Sequence, residues 1–421
     1  MKLMVYSHDA FGLGNIRRML AICEYLLQTI PGLSILVLSG SPALHSLRLP
    51  AGLDYIKLPC LSRDRAGEMG VTFLDTSLEE TVNLRAELIL SAIQHFRPDV
   101  FLVDKKPSGL LQELQPTLKY LEQCAQSPAH PSTQLVLLLR DILDAPEVTQ
   151  SQWERHGYFE MLERLYAQIW IVGSPDIFDA PQAYGFPEAI AQKVRFCGYI
   201  RRNPGERPRP VMRQEMGLTP ADRLVLVTPG GGADGDRLVI TYLDLLASDH
   251  SLAQDPALKS LIVCGYEMPL AQRQMVHRAA AANPQVEVLD FSDDLISLMD
   301  AADLVVSMGG YNTVCEILSL RKRAIVVPRL HPVQEQWMRA ERMAQRQLFT
   351  ALHPDHLSPS TLAAAMQHQL QGDLPPMAID LDALPRIAQM TAALLPGAVK
   401  PFAVPSSCFL PTSPCLAIAN P

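Results

Sequence analysis

The chain has 421 residues, 48% of them apolar: too long for one ordinary domain, and apolar enough to fill two or three cores. A formal net charge of −8 argues against a nucleic-acid partner. Its eight cysteines form no CxxC pair and no Cys/His cluster, which argues against structural zinc and against a disulfide framework and fits a reducing cytoplasm.

KLMVYS (2–7) predicts a short buried strand. A Gly-rich turn, FGLGN, follows, and IRRMLAICEYLLQTI (16–30) places Ile16, Leu20, Cys23 and Leu27 near helical spacing. Further apolar runs at 33–39, 99–104, 134–141, 168–174 and 194–200 alternate with helical stretches, the pattern of a parallel sheet covered on both faces. GYIRRNPGERPRP (198–210) then has the Pro, Gly and Arg content of an extended linker. The alternation restarts with strands at 223–228, 260–267, 286–291, 303–310 and 323–329. The expected fold class is α/β, with two Rossmann-like, doubly wound domains facing across a cleft. Their expected bounds are 1–197 for the N-terminal domain, 198–212 for the linker, 213–395 for the C-terminal domain and 396–421 for a Pro-rich, mostly disordered tail. No apolar run approaches the roughly 20 residues that span a bilayer, and the N-terminus lacks a signal-peptide pattern, so peripheral membrane contact alone is left open.

Ligands of such sheets bind beyond the carboxyl ends of the strands. In the second half, SMGGYNTVCEIL puts Gly309 and Gly310 between a strand and a helix, where backbone can approach an anion at the helix N-terminus. Thr313 and Glu316 have the spacing of a capping box, which is one reading of that glutamate. The other reading is a carboxylate that accepts hydrogen bonds from a vicinal diol such as a ribose. TPGGGADG (228–235) supplies Gly230, Gly231 and Gly232, whose amides could surround phosphate oxygens; it lacks the GK[ST] of a P-loop. In HPVQEQWMRA, Glu335 and Gln336 offer the acceptors and donors that fix sugar hydroxyls, or simply begin a polar helix.

GGYNTVCEILSLRKRAIVVPR followed by HPVQEQWMRA resembles the donor-binding signature of GT-B glycosyltransferases, in particular glycosyltransferase family 28. That group contains the lipid II-forming N-acetylglucosaminyltransferase and the galactolipid synthases. The resemblance covers about 35 residues. It implies that Gly310, Thr313 and Glu316, with Asn312 beside them, bind the nucleotide and ribose, and that Glu335 and Gln336 bind the donor sugar.

In the first half, SHDAFGLGNIRR puts Gly12, Gly14 and Arg17 where phosphate or acceptor would lie. The turn is similar to the G-x-G-H-x-x-R turn of related nucleotide-sugar hydrolases, but Asn15 stands at the catalytic His position and cannot take a proton. His8 and Asp9 are then the first candidates for a general base, with Asp104 and Asp141 at later strand ends as further ones. The expected protein is an inverting hexosyltransferase that uses a UDP-sugar as substrate and needs no metal or cofactor. Its acceptor, a sugar, a lipid or a small molecule, is not specified. Two alternatives stand beside it: a nucleotide-sugar hydrolase or epimerase on the same fold, and a non-catalytic nucleotide-sugar-binding protein.

Overall fold

The computed structural model describes residues 1–8, 14–42, 49–63, 68–127, 132–374 and 379–397. Asp9, Gly12 and most of the tail lie outside the described residues. The chain forms two compact units, Met1–Ile200 joined by the chain from Asp380, and Arg201–Ile379.

The first unit is built on β1 (Lys2–Ser7), β2 (Ser34–Ser39), β3 (Leu53–Lys57), a small antiparallel pair β4 (Leu61–Arg63) and β5 (Met69–Val71), and then β6 (Val100–Asp104), β7 (Gln134–Arg140), β8 (Gln168–Val172) and β9 (Val194–Phe196). Its seven-stranded sheet runs β3-β2-β1-β6-β7-β8-β9, all parallel. β6 is buried at every position and β1 at all but its first, because helices cover both faces. The helix Gly14–Thr29 buries Ile16, Leu20 and Cys23 and stops at Pro31-Gly32, where Gly32 has φ +70°.

A buried polar cluster surrounds Tyr6 in this unit. The Tyr6 hydroxyl donates to Glu113, and Arg85, from the helix Leu78–Phe96, grips the same carboxylate through two nitrogens, one at 2.7 Å. It pins that helix and the segment after β6 to β1. A pair of this kind holds only while both members are present.

The second unit contains β10 (Arg223–Thr228), β11 (Leu258–Val263), β12 (Val286–Leu289), β13 (Leu304–Ser307), β14 (Ala324–Val326) and β15 (Thr350–Ala351). Its parallel sheet runs β12-β11-β10-β13-β14-β15. Val225, Val227, Leu304 and Val306 pack with Val239 and Tyr242 of one helix and Leu362 and Met366 of another. In both sheets the strand order reverses beside the first strand, between β1 and β6 and between β10 and β13. At such a reversal the connections on either side leave to opposite faces and open a crevice at the carboxyl end of the sheet.

Two expected boundaries change. The helix Ala383–Leu394 belongs to the first unit, against the helix Gly14–Thr29, so the second unit ends at Ile379 and not at 395. The return is fixed by Tyr199 N–H donating to the Asp380 carbonyl and by a bridge between Ile200 and Asp382. Nor is 198–212 a free linker. Residues 198–200 belong to the first unit, while Arg207 pairs with Asp294 and Arg209 with Asp303 within the second. Two of the arginines that read as linker composition, Arg207 and Arg209, are ion-paired within the second unit.

Candidate functional site

At the β10/β13 reversal, two glycine turns lie side by side. After β13 the chain runs through Met308, Gly309 and Gly310 into the helix Tyr311–Ser319, with Gly310 as its N-cap residue. The N-cap therefore precedes Thr313 by three residues, and Gly310, having no side chain, makes no capping bond itself. That removes the capping-box reading of Thr313 and Glu316, which needs Thr313 itself at the N-cap. Glu316 is buried, at 8% exposure, in the second turn of the helix.

The two glycines differ. A side chain on Gly309 would press on Gln336 and Pro328 at 3.1–3.3 Å. Gly310 has φ −61°, open to any residue, and a Cβ there would meet nothing within 4 Å. Neither backbone nor packing demands glycine at 310; there is open space above the first turn of the helix.

After β10, Gly230 lies beside Thr313, its Cβ position 3.6 Å from Thr313 Oγ1. Gly232 has φ +92°, and any side chain there would collide with the Cys264 carbonyl at 2.3 Å. This turn interlocks with the one after β11, where Glu267 N–H donates to the Gly231 carbonyl at 2.7 Å. The glycines expected to cradle phosphate thus have a packing duty as well.

Glu335 and Gln336 open the helix Glu335–Gln345 and are both buried. Gln336 Oε1 accepts from the Arg329 N–H at 3.3 Å. Arg339, fully buried, donates to the Gly309 carbonyl at 2.9 Å, lies 3.8 Å from Glu335 Oε2 and sits 5.5 Å over the Tyr311 ring. One guanidinium thereby ties the Gly309 turn to the Glu335 helix. Asn312 accepts from Arg202 at 2.7 Å, so its side-chain oxygen is engaged within the unit. Sequence reasoning missed Arg202, Arg339, Arg329 and Glu267. The one available signal was the i,i+4 spacing of Glu335 and Arg339.

Burial raises the Glu267 carboxyl above its ordinary 4.5; Arg329 opposes the shift and Asp234 adds to it. A carboxyl with a raised folded-state pKa stabilises the fold fully below its unfolded value and loses that contribution as pH climbs through the raised one. Glu267→Gln is neutral at every pH. It should therefore raise the melting midpoint at pH 7–8, with the gain fading as pH falls to about 4.5. A gain that grows toward low pH would contradict this.

The first unit's reversal carries the other candidates. His8, buried directly after β1, has its carbonyl bound by Asn15 Nδ2 at 2.8 Å. Asn15 Oδ1 accepts from Arg18 Nη2 at 3.3 Å, and the same nitrogen meets Asp104 Oδ1 at 2.8 Å. Asp104 and Arg18 are 1% and 2% exposed. Asn15 thus connects the His8 carbonyl to an internal ion pair, and Asp104 spends its charge on Arg18. Arg17, the arginine singled out by sequence, is half-buried, and its neighbour Arg18 is the buried one. Asp141, just past β7, accepts from the Tyr199 hydroxyl at 3.0 Å and packs so closely on Gly173 that a Cβ there would lie 2.5 Å away. His8, Asn15 and Asp104 come together at the β1/β6 end; Asp141 belongs to the neighbouring β7/β8 end. Gly14 begins the helix Gly14–Thr29.

Residues 225–381 match the glycosyltransferase family 28 C-terminal domain. A relative named as an uncharacterised glycosyltransferase of Methanopyrus kandleri is 31% identical over 51% of this chain and 57% of its own. A Fusobacterium nucleatum relative, named as UDP-N-acetylglucosamine–N-acetylmuramyl-(pentapeptide) pyrophosphoryl-undecaprenol N-acetylglucosamine transferase, is 28% identical over 28% of this chain and 30% of its own. The chain thus spans about half or less of these curated relatives. Among solved structures, MurG of Acinetobacter baumannii aligns over 92% of this chain and 98% of its own, with TM-score 0.54 and 13% identity. The UDP-GlcNAc 2-epimerase of Methanocaldococcus jannaschii aligns over 93% and 100%, with TM-score 0.62 and 10% identity. These likenesses establish the GT-B type of fold, two α/β domains with parallel sheets.

Proposed function

We propose, on the premise that residues 225–381 are a glycosyltransferase family 28 C-terminal domain, that the protein transfers a hexose from a UDP-sugar to an acceptor hydroxyl, without a metal and with inversion at the anomeric carbon. The observation that carries this reading is the arrangement around Gly310. An uncrowded helix N-terminus adjoins a glycine turn, with buried Glu316 in the second turn of that helix and buried Glu335 and Gln336 at the start of another. The N–H groups that point out of a helix N-terminus, with the helix dipole, suit a diphosphate there. Glu316 would accept from the two ribose hydroxyls, and Glu335 and Gln336 would fix the sugar. The donor printed in the Fusobacterium relative's name makes UDP-N-acetylglucosamine the first nucleotide-sugar to try. That relative's acceptor is lipid-linked by name, which puts a polyprenyl-linked sugar among the acceptors to test.

On the acceptor side, His8 is the favoured base. It directly follows β1, at the reversal where ligands of such sheets bind, and an imidazole can take a hydroxyl proton near neutral pH. The proton would move from the acceptor hydroxyl to the imidazole as the oxygen attacks the anomeric carbon and UDP leaves. Among the described residues no helix is long and apolar enough to cross a membrane; we place the protein in the cytoplasm, with contact to a membrane surface if the acceptor is a lipid.

The test is a thermal-shift panel of UDP, GDP, dTDP and their sugars with EDTA present. Ligand at a hundred times its Kd should stabilise by about 2.7 kcal/mol. UDP and one UDP-sugar are expected to raise the midpoint, undiminished by EDTA. No shift with any nucleotide would overturn the reading. UDP release that needs no acceptor would replace transfer by hydrolysis.

A further inference from the structure

Three charges stand at the mouth of the Gly230–Gly232 turn, and the functional reading leaves them unexplained. Asp234, exposed, follows the three glycines. Arg329 ends the segment after β14, and its Nη1 lies 3.6 Å from Asp234 Oδ2. Glu267 lines the same turn: a Cβ on Gly231 would sit 2.8 Å from its Oε2. Both Arg329 and Asp234 act on it electrostatically. Two carboxylates against one guanidinium make a net negative mouth, an unfavourable place to receive a diphosphate through backbone amides alone.

Arg329 has a further attachment. Its backbone N–H holds Gln336 Oε1, so the residue joins the sugar-reading pair to the glycine turn. Its guanidinium is a third exposed, and the pair with Asp234 is long and wet, the kind of contact that contributes little and is readily exchanged. A guanidinium prefers a phosphate, which it can grip through two parallel hydrogen bonds, over a distant single carboxylate contact.

Resting on the proposed function, we infer that Arg329 is the diphosphate-binding residue of the donor site and that Asp234 is its built-in competitor. In the free protein Asp234 holds the guanidinium beside the turn. On donor binding Arg329 exchanges this carboxylate for the diphosphate. The exchange also explains how an acidic mouth selects nucleoside diphosphates over nucleosides: uridine cannot draw Arg329 from Asp234.

The experiment titrates wild type, R329M, D234N and the double variant with UDP and with uridine by calorimetry at fixed ionic strength. Both side chains are partly exposed, so the variants should fold; melting curves check this. R329M is expected to weaken UDP binding about 10- to 100-fold, as for a lost charge-assisted contact, and to leave uridine unchanged. D234N is expected to tighten UDP binding about threefold or more, again sparing uridine. In the R329M background the D234N gain should disappear, because there is no guanidinium left to release. Unchanged UDP affinity in R329M overturns the inference. A D234N gain of equal size in both backgrounds reduces Asp234 to simple repulsion and overturns the exchange. If wild type binds no UDP, the functional reading fails and this one with it; if wild type binds and the variants match it, only this one fails.

Discussion

Glu316→Ala is expected to weaken UDP binding by about 2–4 kcal/mol, the loss of two hydrogen bonds to a buried carboxylate. The capping alternative predicted a different outcome, a lower melting temperature with donor affinity intact. Gly310 at the N-cap removes that alternative. The decisive control is a ligand without the ribose diol. Dideoxy-UDP should bind wild type and Glu316→Ala with equal affinity, because the hydroxyls that the carboxylate would accept from are gone. Glu316→Gln, with one acceptor oxygen in place of two, should fall between. If Glu316→Ala loses the same affinity for dideoxy-UDP as for UDP, the carboxylate shapes the pocket and does not read the ribose.

The parts of the fold that were legible in the sequence are those whose signal is local. β1, β6, β7, β10 and β13 are apolar runs between helices, and each was expected within a residue or a few at its ends. β3, β15 and the β4/β5 pair were missed. β3 is an edge strand, mostly uncovered along its length, and β15 has two residues, so neither carries the continuous apolar run by which buried strands are recognised. The return of the helix Ala383–Leu394 to the first unit was invisible for another reason: an amphipathic helix records that it is covered, not by which domain. The same limit applies to the site. Gly310, Glu316, Glu335 and Gln336 were named as candidates because they form a spaced motif. Arg18, Arg202, Arg329 and Arg339 act through partners distant in sequence, and an arginine in a helix or after a strand looks like surface charge until its partner is known.

Asp104→Asn is expected to cost about 3–5 kcal/mol of stability, because it leaves the Arg18 guanidinium charged at 2% exposure without its counter-ion. Sequence placed Asp104 among the candidate bases on its position at a strand end. The geometry gives that charge a structural use: Arg18 links Asp104 to Asn15, and Asn15 links to the His8 carbonyl, so the pair ties the start of the helix Gly14–Thr29 to the residue after β1. Among the described residues Asp104 Oδ2 accepts no hydrogen bond, so a catalytic use of that second oxygen has to be tested directly. The double variant Arg18→Met with Asp104→Leu does so. Replacing both members of a buried pair by apolar groups should recover most of the stability lost in Asp104→Asn. If Asp104 is structural, the folded double variant keeps turnover, and adding His8→Ala abolishes it. Restored stability with turnover abolished would show instead that Oδ2 handles the reacting hydroxyl, and His8 would lose its place as the base.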